Sequence, residues 1–236
     1  MKKYASILTL ASRPTLYKLI LLLIATAVVE SALFMNRLSE DALYSLESIM
    51  THSHVALVSG ISFLILCIIL CTANLELSGS KVSYTLQRLS IKEETTTVLW
   101  GLYNMLCLVL FWAAQLGISL FLCHLYIQAT DPIYINDQTV FLAFYRNNFL
   151  HALLPLSEKT LWYRNAALII SLGTAMTLFS YHQRRGEKGI LIFILAAMTF
   201  WLFPSQTGAF DGHFVIIVLT FSATVYSYFS LLGRKK

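Results

Sequence analysis

Four residues combine polar chemistry with strongly apolar surroundings: Glu30, Asn104, Gln115 and Ser119. A carboxyl or an amide is costly in hydrocarbon, so such side chains face the inside of a helix bundle and mark pathways or helix contacts. Glu30 comes near the end of the first apolar run. It reads either as a substrate or proton contact facing the bundle, or as a headgroup-level residue where the run stops early. The second is the expectation here. Asn104 and Gln115 are 11 residues apart in the chain, which puts them about 20° apart around a helix at 100° per residue. Ser119 and Gly101 fall within about 60° of the same line. A stripe of amides and small residues suits a helix–helix contact, where amides bond across the interface. It could also line a pathway; packing is the ordinary use.

Enzyme chemistry finds little to work with. The phosphate-cradling pattern G-x-x-x-x-G-K-[ST] does not occur, nor do H-E-x-x-H and G-x-S-x-G. The pair Glu93–Glu94 in "KEETTTV" is like that of intramembrane CAAX-type proteases. Those enzymes place an arginine four positions after the second glutamate, where this chain has Val98. His52 and His54 lie close together in a loop with no third ligand. Cys67, Cys71, Cys107 and Cys123 all fall in apolar runs and read as small packing residues. No catalytic residue, metal or cofactor is expected.

The elements that position these residues follow from hydropathy. The chain has 236 residues, 57% of them apolar and 12% charged, with a mean hydropathy of +0.69. An ordinary soluble domain carries about 25% charged residues. The expected fold is an all-α integral membrane protein, one transmembrane domain over residues 1–236 with six spans. They cover about 16–35, 55–75, 98–127, 165–181, 190–203 and 214–232, each near the roughly 20 apolar residues a crossing needs. The N-terminal "MKKYASILTLASRPTLYKL" is interrupted by Arg13, Pro14 and Lys18. It reads as an interfacial helix leading into the first span rather than as a cleaved signal peptide.

Charge sets the orientation. With the N-terminus cytoplasmic, all but four of the 17 basic residues fall on the cytoplasmic side, the exceptions being Arg37, Arg146, Lys159 and Arg164. Basic residues collect on that side of membrane proteins, so both termini are expected in the cytoplasm. The basic excess then answers to anionic lipid, and nucleic acid is not implied. Outside lie an acidic loop after the first span, a short turn at "PSQTGAFDGH", and the segment "TVFLAFYRNNFLHALLP". That segment reads as one helix, capped by Thr139 and stopped by Pro155. Leu142, Tyr145, Phe149 and Leu153 lie on one side of it, with Arg146, Asn147, Asn148 and His151 on the other. It is expected to lie in the outer interface or to re-enter the membrane under a cover of protein.

The polar stretch "SGSKVSYTLQRLSIKEETTT" joins the second and third spans. Ser80 is a candidate cap, and Val82, Leu86 and Leu89 recur on one helical face. Ser90 with Glu93 makes a capping box that starts a new helix. The stretch reads as a cytoplasmic amphipathic helix, a corner and the entry to span three. It is either a float on the membrane surface or a lever seated in a partner's groove.

Six spans, cytoplasmic termini and this short helix together resemble the ABC-2 type transporter permeases of bacteria. In that family the segment after span two often reads "L..LP.SR..I", and "LQRLSIKEET" is similar, with Leu89 in place of the proline and Lys92 in place of the arginine. The longest outer segment here precedes span four, whereas the family's outer helices usually precede the last span. The resemblance implies a membrane-spanning permease subunit in the bacterial cytoplasmic membrane, paired with a second permease subunit, identical or different. A separate ABC ATPase would carry ATP and magnesium. Val82, Leu86, Arg88, Leu89, Lys92 and Glu93 would couple to it, and an amphiphilic substrate would cross. The competing classes are a transporter or channel-like protein with no ATPase, and a membrane scaffold or assembly factor. Neither an inverted repeat nor matching broken helices support the first of these.

Overall fold

The computed structural model describes residues 2–40, 45–76, 93–131, 133, 135–156, 158–184, 189–204 and 210–232. Among these residues there is no strand. Their helices, in chain order, are α1 (Lys2–Glu40), α2 (Leu46–His52), α3 (Val55–Glu76), α4 (Glu93–Ala129), α5 (Thr139–Arg146), α6 (Asn148–Leu153), α7 (Lys159–Arg184), α8 (Leu191–Leu202) and α9 (Phe210–Leu232).

Among the described residues four stretches are long and apolar enough to cross a membrane: Thr15–Ser39, Val55–Ala73, Thr95–Ala129 and Gly212–Phe229. The fourth and fifth expected spans coincide with α7 and α8. α7 is long enough but polar for a lipid-facing helix, and α8 is apolar but only 12 residues long. Their packing explains the difference. α7 is surrounded by α3, α4, α8 and α9, so its Ser171, Thr177 and Ser180 are covered by protein. The lipid-like exterior falls to other helices. On α1, Ile20, Leu21, Ile24, Val28 and Val29 are exposed, as are Val215, Leu219 and Phe221 on α9. Only 22% of the apolar window of α1 is buried against 39% for α3 and α4, so α1 sits at the edge of the bundle. Apolar surface on this scale is what a hydrocarbon environment covers.

Side-chain pairs give the helix directions. Thr26 Oγ1 donates to Ser62 Oγ at 2.9 Å across the antiparallel pair α1 and α3. Thr15 hydrogen-bonds Tyr103, and twelve to fifteen residues further along both helices Glu30 meets Gln115, so α1 and α4 run parallel. α7 runs against α4: Asn104 Nδ2 donates to Thr177 Oγ1 at 3.2 Å, while Trp112 packs edge-on to Trp162 with ring centroids 5.8 Å apart. The end of α8 meets the start of α3, where Phe200 presses on Gly60. α1, α4 and α8 therefore point one way, and α3 and α7 the other.

The core divides in two. One apolar cluster joins Leu19, Leu66, Leu70, Trp100, Leu108, Phe111, Leu172, Met176 and Leu195. A second joins Phe34, Leu38, Ile49, Met50, Leu122, Tyr126, Phe144 and Leu150 at the end of the bundle where α2, α5 and α6 gather.

Several expectations need correction. α1 is a single unbroken helix from Lys2 to Glu40, with no boundary between an interfacial helix and a span. The loop after it contains α2, an amphipathic turn that buries Leu46, Ile49 and Met50. The expected single helix over 139–155 is broken at Asn147, whose backbone is extended at φ −78°, ψ 122°. Gln138, not Thr139, is the N-cap of α5; the Thr139 hydroxyl instead accepts from Asn136 N at 2.9 Å. The polar side of that segment also fails as a unit. Arg146 and Asn148 are exposed, whereas Asn147 and His151 are buried. Val82, Leu86, Arg88, Leu89 and Lys92, expected above to couple to an ATPase, lie with Ser80 and Ser90 outside the described residues. Glu93 is the first residue of α4.

Candidate functional site

Glu30 is placed on the inner face of α1 by the helix period. Thr26, Phe34 and Leu38 share its side and are all buried. Because α1 continues to Glu40, Glu30 is well inside the helix and not near its end, and its exposure is 0%. This overturns the headgroup placement. Neither carboxyl oxygen has a hydrogen-bond partner.

Gln115 and Ser119 stand one turn apart on α4, with exposures of 1% and 0%. The Gln115 amide lies against the Glu30 carboxyl, but its orientation gives no hydrogen bond: Nε2, Oε1 and the Ser119 hydroxyl are all without partners. Five buried polar atoms on three neighbouring side chains are thus unpaired in one place. A buried polar group left unpaired costs about 1–3 kcal/mol, and native structures leave few of them. The cluster sits at the seam between the two apolar cores: Phe111 belongs to the first, Phe34 and Leu122 to the second.

The stripe expected along α4 is buried throughout but does two things. At its start Asn104 bonds Thr177, and Gly101 lies within 3.6 Å of that same hydroxyl for an added Cβ. This part is helix packing. Further on, Gln115 and Ser119 turn to α1 with no bond made.

Gln115 also lines a cavity of about 100 Å³ enclosed by α3, α4, α6, α7 and α8. Its walls are largely apolar, with Phe63, Phe111, Trp112, Phe149, Leu172 and Phe200 among them. The polar side chains in the wall are Ser59, Gln115, Asn165 and Thr199. Asn165 is already committed, donating to Ala152 O at 2.9 Å, and Thr199 donates to Leu195 O at 2.7 Å. Gln115 is thus a wall residue whose side-chain donors and acceptors are unused.

Sequence reasoning missed Arg164, counted above only as an outer basic residue. Among the described residues it is one of the largest fully buried side chains, at 1% exposure. Its Nε and Nη2 both donate to Asn165 Oδ1, at 3.3 and 3.2 Å, and its guanidinium lies 5.7 Å from the centre of the Phe203 ring. Both contacts belong to the cavity wall. A guanidinium is weakly hydrated and stacks on aromatic faces, which is how α7 can begin with a charge under cover. The sequence signal was an arginine adjoining an apolar run, which alone does not separate snorkelling from burial.

α6 closes the cavity at this end. Asn147 caps it, its Oδ1 accepting from Phe149 N at 3.1 Å and Leu150 N at 3.2 Å. Asn147 Nδ2 donates to Thr51 Oγ1 of α2 at 3.1 Å, and Trp112 Nε1 donates to Leu153 O at 3.1 Å. All residues from Phe149 to Leu153 are buried, so α6 is tucked between α4 and α7 and does not float on a surface.

Cys67, Cys71, Cys107 and Cys123 are buried free thiols. Among the described residues no group of three or more His, Cys, Asp or Glu side chains could hold a metal ion. Comparison with protein-family models, with curated proteins and with solved structures gives no match.

Proposed function

We propose that this chain is the membrane-spanning permease subunit of an ABC-2 type transporter, moving an amphiphilic substrate with energy from a separate ATPase. The observation that supports it best is an interior both polar and hollow. Glu30, Gln115 and Ser119 are unpaired beside an apolar cavity. Packing alone would not retain them, because a buried polar group without a partner costs stability that an apolar side chain of the same shape does not.

In this reading α1, α3, α4, α7, α8 and α9 are six crossings, with both termini in the cytoplasm of a bacterial cell. The alternating directions of α1, α3, α4, α7 and α8 agree with it, and α7 crosses inside the bundle where lipid does not touch its polar side chains. α6 is then a re-entrant helix on the outer side, permitted because protein covers its backbone. α4, at 37 residues, is longer than a crossing needs and begins next to the polar stretch that would dock on the ATPase. A push there would tilt α4 as a rigid body against α1 and α7 and open the seam at Gln115. A second permease subunit would complete the pathway.

The buried carboxyl gives one alternative support: a transporter with no ATPase, powered through Glu30. Affinity purification from native membranes separates the two. An ABC ATPase should travel with the wild-type chain and be lost on joint Leu86→Asp and Leu89→Asp substitution. A wild-type preparation with no ATPase, or a double variant that keeps it, removes the permease reading.

A further inference from the structure

We infer that the Glu30–Gln115–Ser119 cluster is a binding site for an organic monocation, an ammonium headgroup whose apolar body occupies the adjoining cavity.

The chemistry of the cluster carries this. It offers two carboxyl oxygens, an amide oxygen and a hydroxyl oxygen, none of them partnered. An ammonium group presents donors and no acceptor, so each of these oxygens can accept from it. A carboxyl buried between apolar cores is stable as an anion only beside a cation. Among the described residues no basic side chain bonds the carboxyl. Arg164, the charged group at the cavity's rim, is turned onto Asn165 Oδ1 and the Phe203 ring. On α4 the residues within a turn of Gln115 carry no positive charge, and with Thr26 opposite Ser62 in the antiparallel pair the α3 residues level with Glu30 are Val58 and Ser59, neither of them basic.

Geometry selects an organic cation over a metal ion. Gln115 belongs to both environments: its amide lies against Glu30, and its side chain forms part of the cavity wall. A turn of this one side chain would join the two, so that a headgroup at Glu30 keeps its tail against Phe63, Phe111 and Leu172. A bare metal ion gains nothing from such walls and pays its dehydration there. Aromatic rings at a cavity's edge add attraction for an ammonium.

The assignment names the substrate class of the proposed permease and rests on that reading for its purpose, but binding itself needs no ATPase. The test is equilibrium dialysis of the full chain in lipid nanodiscs, against empty nanodiscs, with radiolabelled octylammonium and 1-octanol as probes. Octylammonium should bind saturably, and octanol about tenfold more weakly or worse, as the loss of a charge-assisted contact implies. Glu30→Gln and Gln115→Ala should each weaken octylammonium by about tenfold, and Ser119→Ala by a smaller factor in the same direction. Thermal unfolding of each variant confirms that it folds. Excess sodium chloride should leave the binding unchanged.

Equal affinity for octanol and octylammonium would overturn the inference, as would full affinity in a folded Glu30→Gln protein. Displacement by sodium would overturn it too, by giving the site to a metal cation. If no ATPase accompanies the chain and octylammonium still binds as described, the site stands and the permease reading falls. If an ATPase does accompany it and octylammonium does not bind, the reverse holds.

Discussion

The Gln115 and Glu30 side chains face each other across the contact between α1 and α4, and no polar atom of either has a partner in hydrogen-bond geometry. Twelve to fifteen residues earlier on the same two helices, Thr15 and Tyr103 do pair. The two helices thus have a joined end and an unjoined middle. If α4 moves against α1, Thr15–Tyr103 is the natural pivot and the Glu30–Gln115 level is where they part.

Gly173 lets the backbones of α4 and α7 come close together. A Cβ there would stand 2.5 Å from Met105 Cγ, 3.1 Å from Met105 N and 3.3 Å from Gly101 O. The side chain could yield, but the two backbone atoms could not. Small residues let membrane helices approach in this way. Gly173→Ala should destabilise the protein by about 1–3 kcal/mol, the usual cost of overpacking. Gly117→Ala, with nothing within 4 Å, should be neutral or slightly stabilising. Equilibrium unfolding in mixed micelles compares them.

Asn147 ties α6 to α2 and caps it with two backbone contacts. Asn147→Ala should cost about 0.5–2 kcal/mol through the cap alone. Hydrogen exchange should quicken at Phe149 and Leu150 while the amides of α7 keep their protection. Uniform loss of protection would mean that α6 is not a separate unit.

The six-crossing reading predicts which loops face which side. The native thiols are buried, so a cysteine placed at an exposed position reports by itself. Glu158→Cys should react with an impermeant maleimide from outside intact cells. Ile190→Cys, at the exposed residue just before α8, should react only after the membrane is opened. Labelling of both from the same side would mean that α7 does not cross.

Hydropathy alone locates α1, α3, α4 and α9, because those helices show lipid their side chains and their composition records it. α7 is harder to read, since its Thr177 and Ser180 answer to Asn104 and to the Cys71 carbonyl rather than to lipid. The break at Asn147 is hidden for a different reason. Arg146, Asn147 and Asn148 look like one polar face, yet Asn147 spends its side chain on the backbone of the next helix and on Thr51. Periodicity along α4 puts Asn104 and Gln115 on one line. It cannot tell that α7 meets one and α1 the other, since the partner depends on tertiary packing. For Glu30 the decisive quantity was the length of α1, and apolar composition falls away before the helix ends.

The account turns on the buried carboxyl being kept for what it binds and not for what it holds together. Equilibrium unfolding of Glu30→Met tests this most directly, since methionine is unbranched, of similar length and a good helix former. The substitution should stabilise the protein by about 1–3 kcal/mol, the cost of the unpaired group it removes. A loss of stability of that size would contradict the account, by showing that Glu30 is a structural partner in the α1–α4 contact.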